Sequence, residues 1–189
     1  IWEKVGLYGF GSAAHIAIQI LRHRGNKVYV VTRGERQMQQ AREMGAAWVG
    51  DTTARPVEAL DAIIDTTPAW LPVLAAMAAL APGGRLVINA IRKEAGDRDH
   101  LLDLDYERHL WREKTLTTVA NVTRQDVRAC LELAAAIPLR PSVTSFPLDR
   151  ANEAQFRHAC GFFEGLDQNH IVLWNESPRM LALEKRLQN

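Results

Sequence analysis

Cysteine is scarce in this chain: 189 residues hold two, Cys130 and Cys160, and no Cys-x-x-Cys pair. That excludes a disulfide scaffold or a thiolate metal knuckle, and both thiols read as small core or half-buried residues. Charge of one sign is lacking as well, since 23 basic residues face 22 acidic ones for a net +1. No electrostatic footprint for nucleic acid follows, and Arg22, Arg24, Arg33, Arg36 and Arg42 read as a solvated helix face. There is no apolar run of about 18 residues to span a membrane and no secretory pattern, so a reducing, cytoplasmic setting is expected. The six histidines are dispersed. His158 and Cys160 lie two apart on a predicted helix and face different ways, so no metal site is expected from this chain. An initiator Met is also missing before Ile1, and the first strand follows almost at once. The expectation is a processed chain, or a piece cut at a domain border.

What is present begins with Val5-Gly6-Leu7-Tyr8-Gly9-Phe10-Gly11-Ser12-Ala13-Ala14, a β-type run feeding a Gly-x-Gly-x-x-Ala turn. Gly9 suits a tight strand-to-helix turn, Gly11 lets backbone approach a pyrophosphate, and Ala14 keeps the helix close to a sheet. The helix that follows presents free amides and a positive dipole end to phosphates. Its apolar residues Ile16, Ala17, Ile20 and Leu21 recur at helical spacing until Gly25, and a second strand, 27–31, follows at the distance of a strand, helix and strand unit.

Beyond it the pattern predicts a helix over 35–44, a strand over 46–49, a loop over 51–58, a buried strand over 60–65 and an alanine-rich helix over 70–80. Pro82-Gly83-Gly84 is predicted to break that helix and launch a strand over 85–89. Residues 94–105 read as a charged surface loop, 107–111 as a short helix and 115–119 as a sixth strand. A helix over 124–136 is expected to turn Val127, Leu131 and Ala134 inward. Strands and helices alternating at these lengths argue for a doubly wound parallel six-stranded sheet, with strand order 3-2-1-4-5-6. From Pro138 the pattern changes to a strand over 143–146, a helix over 150–163, a strand over 171–173 and a last helix after Ser177-Pro178 bearing Met180, Leu183 and Leu187. The chain therefore divides into a nucleotide-binding domain, 1–137, and a short C-terminal α+β appendage, 138–189.

The end of the second strand decides which nucleotide. A dinucleotide fold that prefers NAD usually carries Asp or Glu there; this chain has Thr32 and then Arg33. A guanidinium pairs with a 2′-phosphate that a carboxylate would repel, so NADP is the expected coenzyme and NAD the alternative. An S-adenosylmethionine methyltransferase also uses a glycine turn, but it typically sets an acidic residue before that turn and another at the end of strand two, where this chain has Tyr8 and Thr32. A stand-alone, non-catalytic nucleotide-sensing module stays open on the sequence.

Gly-Leu-Tyr-Gly-Phe-Gly-Ser-Ala-Ala-His-Ile from Gly6, Met-Gly-Ala from Met44, Pro-Gly-Gly-Arg-Leu-Val-Ile from Pro82, Leu-Trp-Arg-Glu-Lys-Thr-Leu from Leu110 and Val-Ala-Asn-Val-Thr-Arg from Val119 stand in order along the chain. Together they resemble the zinc-dependent alcohol dehydrogenases of the medium-chain dehydrogenase/reductase superfamily. Phe-Pro-Leu-Asp-Arg-Ala-Asn-Glu-Ala, residues 146–154, is similar to that family's return segment. Ala14 in place of a third glycine and the charged segment after Ser177 depart from the family's pattern.

The resemblance implies a Rossmann domain and hydride transfer between a nicotinamide cofactor and an alcohol, aldehyde or ketone. It also implies a catalytic zinc acting as a Lewis acid. The family's zinc ligands lie in a preceding barrel-like domain, so neither a ligand nor a proton-relay residue carries over to this sequence. What carries over is the coenzyme crevice. Gly9, Phe10, Gly11, Ser12 and Ala13 would surround the pyrophosphate, Thr32 and Arg33 would face the adenosine ribose, and Thr66, Thr67 and Pro68 would line the nicotinamide ribose. Asn89, Ala90 and Ile91 would present backbone to the carboxamide, and Val119, Ala120 and Asn121 would close that end. His15, just past the turn, is placed either near a phosphate or on the helix surface. The family builds dimers through a sheet edge such as the sixth strand, which implies a homodimer.

Overall fold

A computed structural model describes residues 2–141, 143–153 and 171–175. They fall into two units, 1–139 and 140–189.

The first unit runs β1 (Lys4–Tyr8), α1 (Ser12–His23), β2 (Lys27–Val31), α2 (Glu35–Glu43), β3 (Trp48–Gly50), β4 (Leu60–Asp65), α3 (Leu71–Ala79), β5 (Leu80–Ile88), β6 (Thr115–Thr118) and α4 (Arg124–Ala136). All six strands join one sheet in the order β3-β2-β1-β4-β5-β6, and every pairing is parallel. This is the doubly wound arrangement that the alternation of elements predicts.

Pleating explains why the central strands are apolar on both sides. Leu7, Val28 and Val30 pack on one face with Phe10, Ala14, Ile18 and Ala41, whereas Tyr8, Tyr29 and Val31 pack on the other with Ile63, Met77 and Leu86. Burial of one such aliphatic side chain contributes about 1.5 to 3 kcal/mol, so neighbours on one strand hold both helical layers. Ala14 and Ile18 of α1 are buried four positions apart, and the helix stops where Gly25 takes φ +82°.

Three boundaries differ from the sequence pattern. Leu80 already belongs to β5 and pairs with Leu60, ahead of Pro82-Gly83; Gly83 takes φ +71° and the register slips between Leu60 and Ala62. The glycine therefore accommodates an irregular stretch of strand and does not mark where the strand begins. β3 starts later than expected because Ala46 N donates to Ala41 O, which finishes the turn out of α2; Ala47 N, donating to Val28 O, is the first amide to reach β2. The predicted loop over 94–105 contains a 3₁₀ turn, Arg98–Asp103, and the short helix after it is a π-helical turn, Tyr106–Leu110.

α4 departs further. A capping box starts it, with the Thr123 hydroxyl accepting from Asp126 N and the Asp126 carboxylate accepting from Thr123 N. Yet Val127 and Leu131, expected to face inward, are 45% and 64% exposed. Ala134 is half-buried and Cys130 is exposed, not a core thiol. Helical periodicity names the face that could be covered; no α4 residue is buried among the described residues.

In the second unit β7 (Val143–Pro147) pairs in parallel with β8 (Ile171–Asn175), from Val143↔Ile171 to Pro147↔Asn175. Residues 151–153 are helical. The rest of the helix expected over 150–163, with His158 and Cys160, lies outside the described residues, as does the last helix from Ser177-Pro178.

Candidate functional site

Every sequence-predicted site residue sits just past the carboxyl end of a strand, and a relay of backbone hydrogen bonds ties those ends together. Thr32 N donates to Gly50 O (3.0 Å), Gly9 N to Val31 O (2.8 Å), Thr66 N to Tyr8 O (2.9 Å), Asn89 N to Asp65 O (2.8 Å) and Val119 N to Ile88 O (3.1 Å). In each case the first amide beyond a strand extends the ladder to the last carbonyl of its neighbour. The loops at 9–13, 32–33, 66–68, 89–91 and 119–121 thus leave one edge of the sheet from a rigid base, the crevice where open α/β sheets bind ligands.

At the centre of that edge Gly9 takes φ +87°, the left-handed region that penalises a side chain. A Cβ on it would meet Thr66 Oγ1 at 2.6 Å and Thr67 Cγ2 at 3.1 Å. The absent side chain lets the β1–α1 turn press against the loop after β4. Gly11 is the N-cap of α1 and Ser12 its first residue; no side chain caps the helix, and its first turn holds no acidic residue. Its leading amides and dipole are left for an anion, which is what a pyrophosphate needs. Phe10 is buried and Ala13 exposed. His15 is buried with its ring 4.5 Å from that of Phe10, so it helps pack the turn and does not lie on the helix surface.

Thr32 is half-buried at the root of the next loop and Arg33 is exposed beyond it. On the other side Pro68 and Asn89 are exposed, Ala90 is half-buried and Ile91 stands free in solvent. Val119, Ala120 and Asn121 are exposed, and Asn121 turns with φ +63°, a conformation asparagine tolerates better than most residues.

Sequence reasoning missed Lys93. Asp65, the last residue of β4, is fully buried, and one of its carboxylate oxygens accepts from Thr67 N (3.0 Å) and Thr67 Oγ1 (2.7 Å). The other accepts from Lys93 Nζ, which also donates to Thr67 O (2.9 Å) and Ala69 O (3.0 Å). All three ammonium donors are therefore used on one short loop. Nearby, Glu94 N donates to Pro68 O (2.7 Å), and the Asp97 carboxylate accepts from Trp70 N (2.7 Å) and Leu71 N (2.8 Å) at the start of α3. An acidic residue closing an apolar strand was the available signal for Asp65; Lys93 sits in a charged stretch that reads as ordinary surface. Burial and the adjoining Asp65 carboxylate push the Tyr8 phenol well above its usual range, so it stays protonated at neutral pH.

Among the described residues no three His, Cys, Asp or Glu side chains gather to hold a metal. Nor is any helix there long and apolar enough to cross a membrane.

A parallel sheet in this strand order, a left-handed glycine at its first turn and a helix N-terminus without a side-chain cap define a dinucleotide-binding α/β fold. The profile of the zinc-binding dehydrogenases matches residues 14–136, and the chain belongs to that family. It is 37% identical over 151 residues to a probable alcohol dehydrogenase, AdhA, of Mycobacterium tuberculosis, covering 80% of this chain and 42% of that one. Solved structures share the fold. The crotonyl-CoA carboxylase/reductase AntE, in complex with NADP, superposes with TM-score 0.71 at 16% identity over 93% of this chain and 50% of that one. Acetophenone reductase from Geotrichum candidum, in complex with NAD, gives 0.62 at 18% identity over 85% and 46%. The chain thus spans about half the length of the proteins it matches.

Proposed function

We propose that this chain is the coenzyme-binding part of an oxidoreductase acting between a nicotinamide dinucleotide and an alcohol, aldehyde or ketone. The observation that carries the reading is the β1–α1 turn, where Gly9 makes room and the first amides of α1 have no side-chain cap. The coenzyme, when bound, supplies the hydride chemistry; the protein supplies position. Gly9, Phe10, Gly11, Ser12 and Ala13 hold the pyrophosphate, Thr32 and Arg33 the adenosine ribose, and Thr66, Thr67 and Pro68 the nicotinamide ribose. Asn89, Ala90 and Ile91 offer backbone groups to the carboxamide, and Val119, Ala120 and Asn121 close the end.

NADP is the preferred form on this reading, since no carboxylate stands at residues 32–33 and the Arg33 guanidinium is exposed there. The AdhA relative's name and the NADP and NAD held by the two solved relatives support a redox coenzyme and an alcohol or carbonyl substrate. Zinc is assigned to no residue of this chain. The segment 138–189 is assigned the return to a separate catalytic domain. A homodimer through β6 belongs to the same proposal: among the described residues the strand pairs with β5 alone, all four of its residues are exposed, and apolar Leu116 lies in it with exposed Val119 and Val122 following its end. So does a cytoplasmic setting, which would keep the exposed thiol of Cys130 reduced.

Fluorescence titration with NADPH and NADH tests the reading. Saturable binding with NADPH tighter is expected, and no binding of either at millimolar concentration overturns it.

A further inference from the structure

The hydrogen bonds of the buried ion pair between Asp65 and Lys93 go to Thr67 and Ala69, on the loop after β4. Its carboxylate is fully buried at the end of β4, and its ammonium is held by that carboxylate and by the carbonyls of Thr67 and Ala69. Lys93 lies two residues beyond the 89–91 loop and reaches from the segment after β5 to the neighbouring loop after β4. Glu94 and Asp97 repeat the reach, to Pro68 and to the first amides of α3. A buried pair adds little net stability compared with an apolar pair of the same volume, because desolvation offsets attraction; what it can fix is geometry.

We propose that Lys93 and Asp65 are positioning residues that hold the loops after β4 and β5 at one fixed separation, and so set the slot for the nicotinamide half of the coenzyme. This rests on the coenzyme-binding reading above and deepens it. The adenosine half is expected to be affected far less, because its loops leave β1 and β2 and touch the 66–69 loop at its root, through the Thr66 N to Tyr8 O bond and the contact at Gly9, where the sheet holds both. With the clamp gone, the roots of the two loops stay in the sheet and Glu94 and Asp97 still tie them farther out, while the separation between those anchors loosens.

The test compares two ligands on the full chain: NADPH, which carries the nicotinamide, and 2′,5′-ADP, which does not. Lys93→Met is expected to weaken NADPH about tenfold or more and to leave 2′,5′-ADP within about twofold. Because Lys93→Met strands a buried carboxylate and can fail to fold, the double variant Asp65→Asn with Lys93→Met removes both charges. Its urea midpoint is expected to lie near that of the parent while the NADPH defect persists, a separation that a purely structural role would not give. Equal losses for both ligands, or an unchanged NADPH affinity in the double variant, overturns the clamp and leaves the coenzyme reading standing. A parent chain that binds 2′,5′-ADP and NADPH equally well overturns the nicotinamide slot itself. For a chain that binds only NADH the same comparison is made with NADH and 5′-AMP, and one that binds none of these overturns the coenzyme reading and the clamp with it.

Discussion

Gly9 and Thr66 approach so closely that a Cβ on the glycine would lie 2.6 Å from the threonine hydroxyl oxygen. The same glycine holds φ +87°, so two separate constraints act on one position. The turn proposed to hold the phosphates and the loop proposed to hold the nicotinamide ribose are in contact through the absence of one methyl group. Gly9→Ala is expected to lower unfolding free energy by about 1 to 3 kcal/mol, through left-handed strain and displacement of Thr66. Adding Thr66→Ala should restore only the part due to contact, since φ is unchanged. Urea unfolding of the two variants checks this; a Gly9→Ala chain as stable as its parent would show that neither constraint acts.

Arg33 is exposed at the end of the second strand, where a 2′-phosphate would sit. A hydrogen bond to a charged group is worth about 1.5 to 3 kcal/mol, so Arg33→Ala should weaken NADPH by roughly tenfold to a hundredfold. NADH affinity should change little. Parallel titrations of both coenzymes decide it, and an equal effect on the two would remove Arg33 from coenzyme selection.

Leu116 lies in the middle of β6 and is 45% exposed on the edge strand. If β6 pairs with a second copy, Leu116→Arg places like charges across that seam and should turn a dimer into a monomer, with the urea midpoint of the monomer little changed. Sedimentation velocity reads the result directly. A parent chain that sediments as a monomer contradicts the proposed edge pairing.

His109 is buried in the π-helical turn, its Nδ1 2.9 Å from Asp105 N and 3.0 Å from Asp105 O. Burial holds the ring below the ordinary imidazole range, against an opposing pull from the Asp105 backbone. The unfolded chain, with the ring near its usual 6.5, therefore binds more protons as the medium becomes acidic. The stability this ring contributes is present above about pH 6.5 and is lost as pH falls toward the folded-state value. Urea midpoints at pH 7 and pH 5 should diverge in the parent and diverge less in His109→Gln; equal slopes would show the ring titrates freely.

Most of the sheet was legible because its signals are local. Apolar runs of five or six residues, each closed by glycine, proline or a polar turn, mark β1, β2 and β4 in any context. The right-handed crossover rule then leaves few ways to order six parallel strands. The glycine turn was legible for the same reason, since Gly9 and Gly11 answer to the backbone around them. α4 shows the limit. Thr123 and Asp126 fix where it starts, but the spacing of Val127 and Leu131 says only that one face is apolar, and no sequence signal supplies the surface that would cover it.

The sequence alone settled the order of elements and the glycine turn, because each depends on residues adjacent or a few positions apart, and an ordered set of such short motifs carried the resemblance to the family. Folding decided the rest. Lys93 meets Asp65 across 28 positions of sequence, and Thr66 meets Gly9 only because β1 and β4 are neighbours in the sheet. Contacts of that kind exist once parallel pairing has brought separate strand ends to one edge, so no reading along the chain can find them.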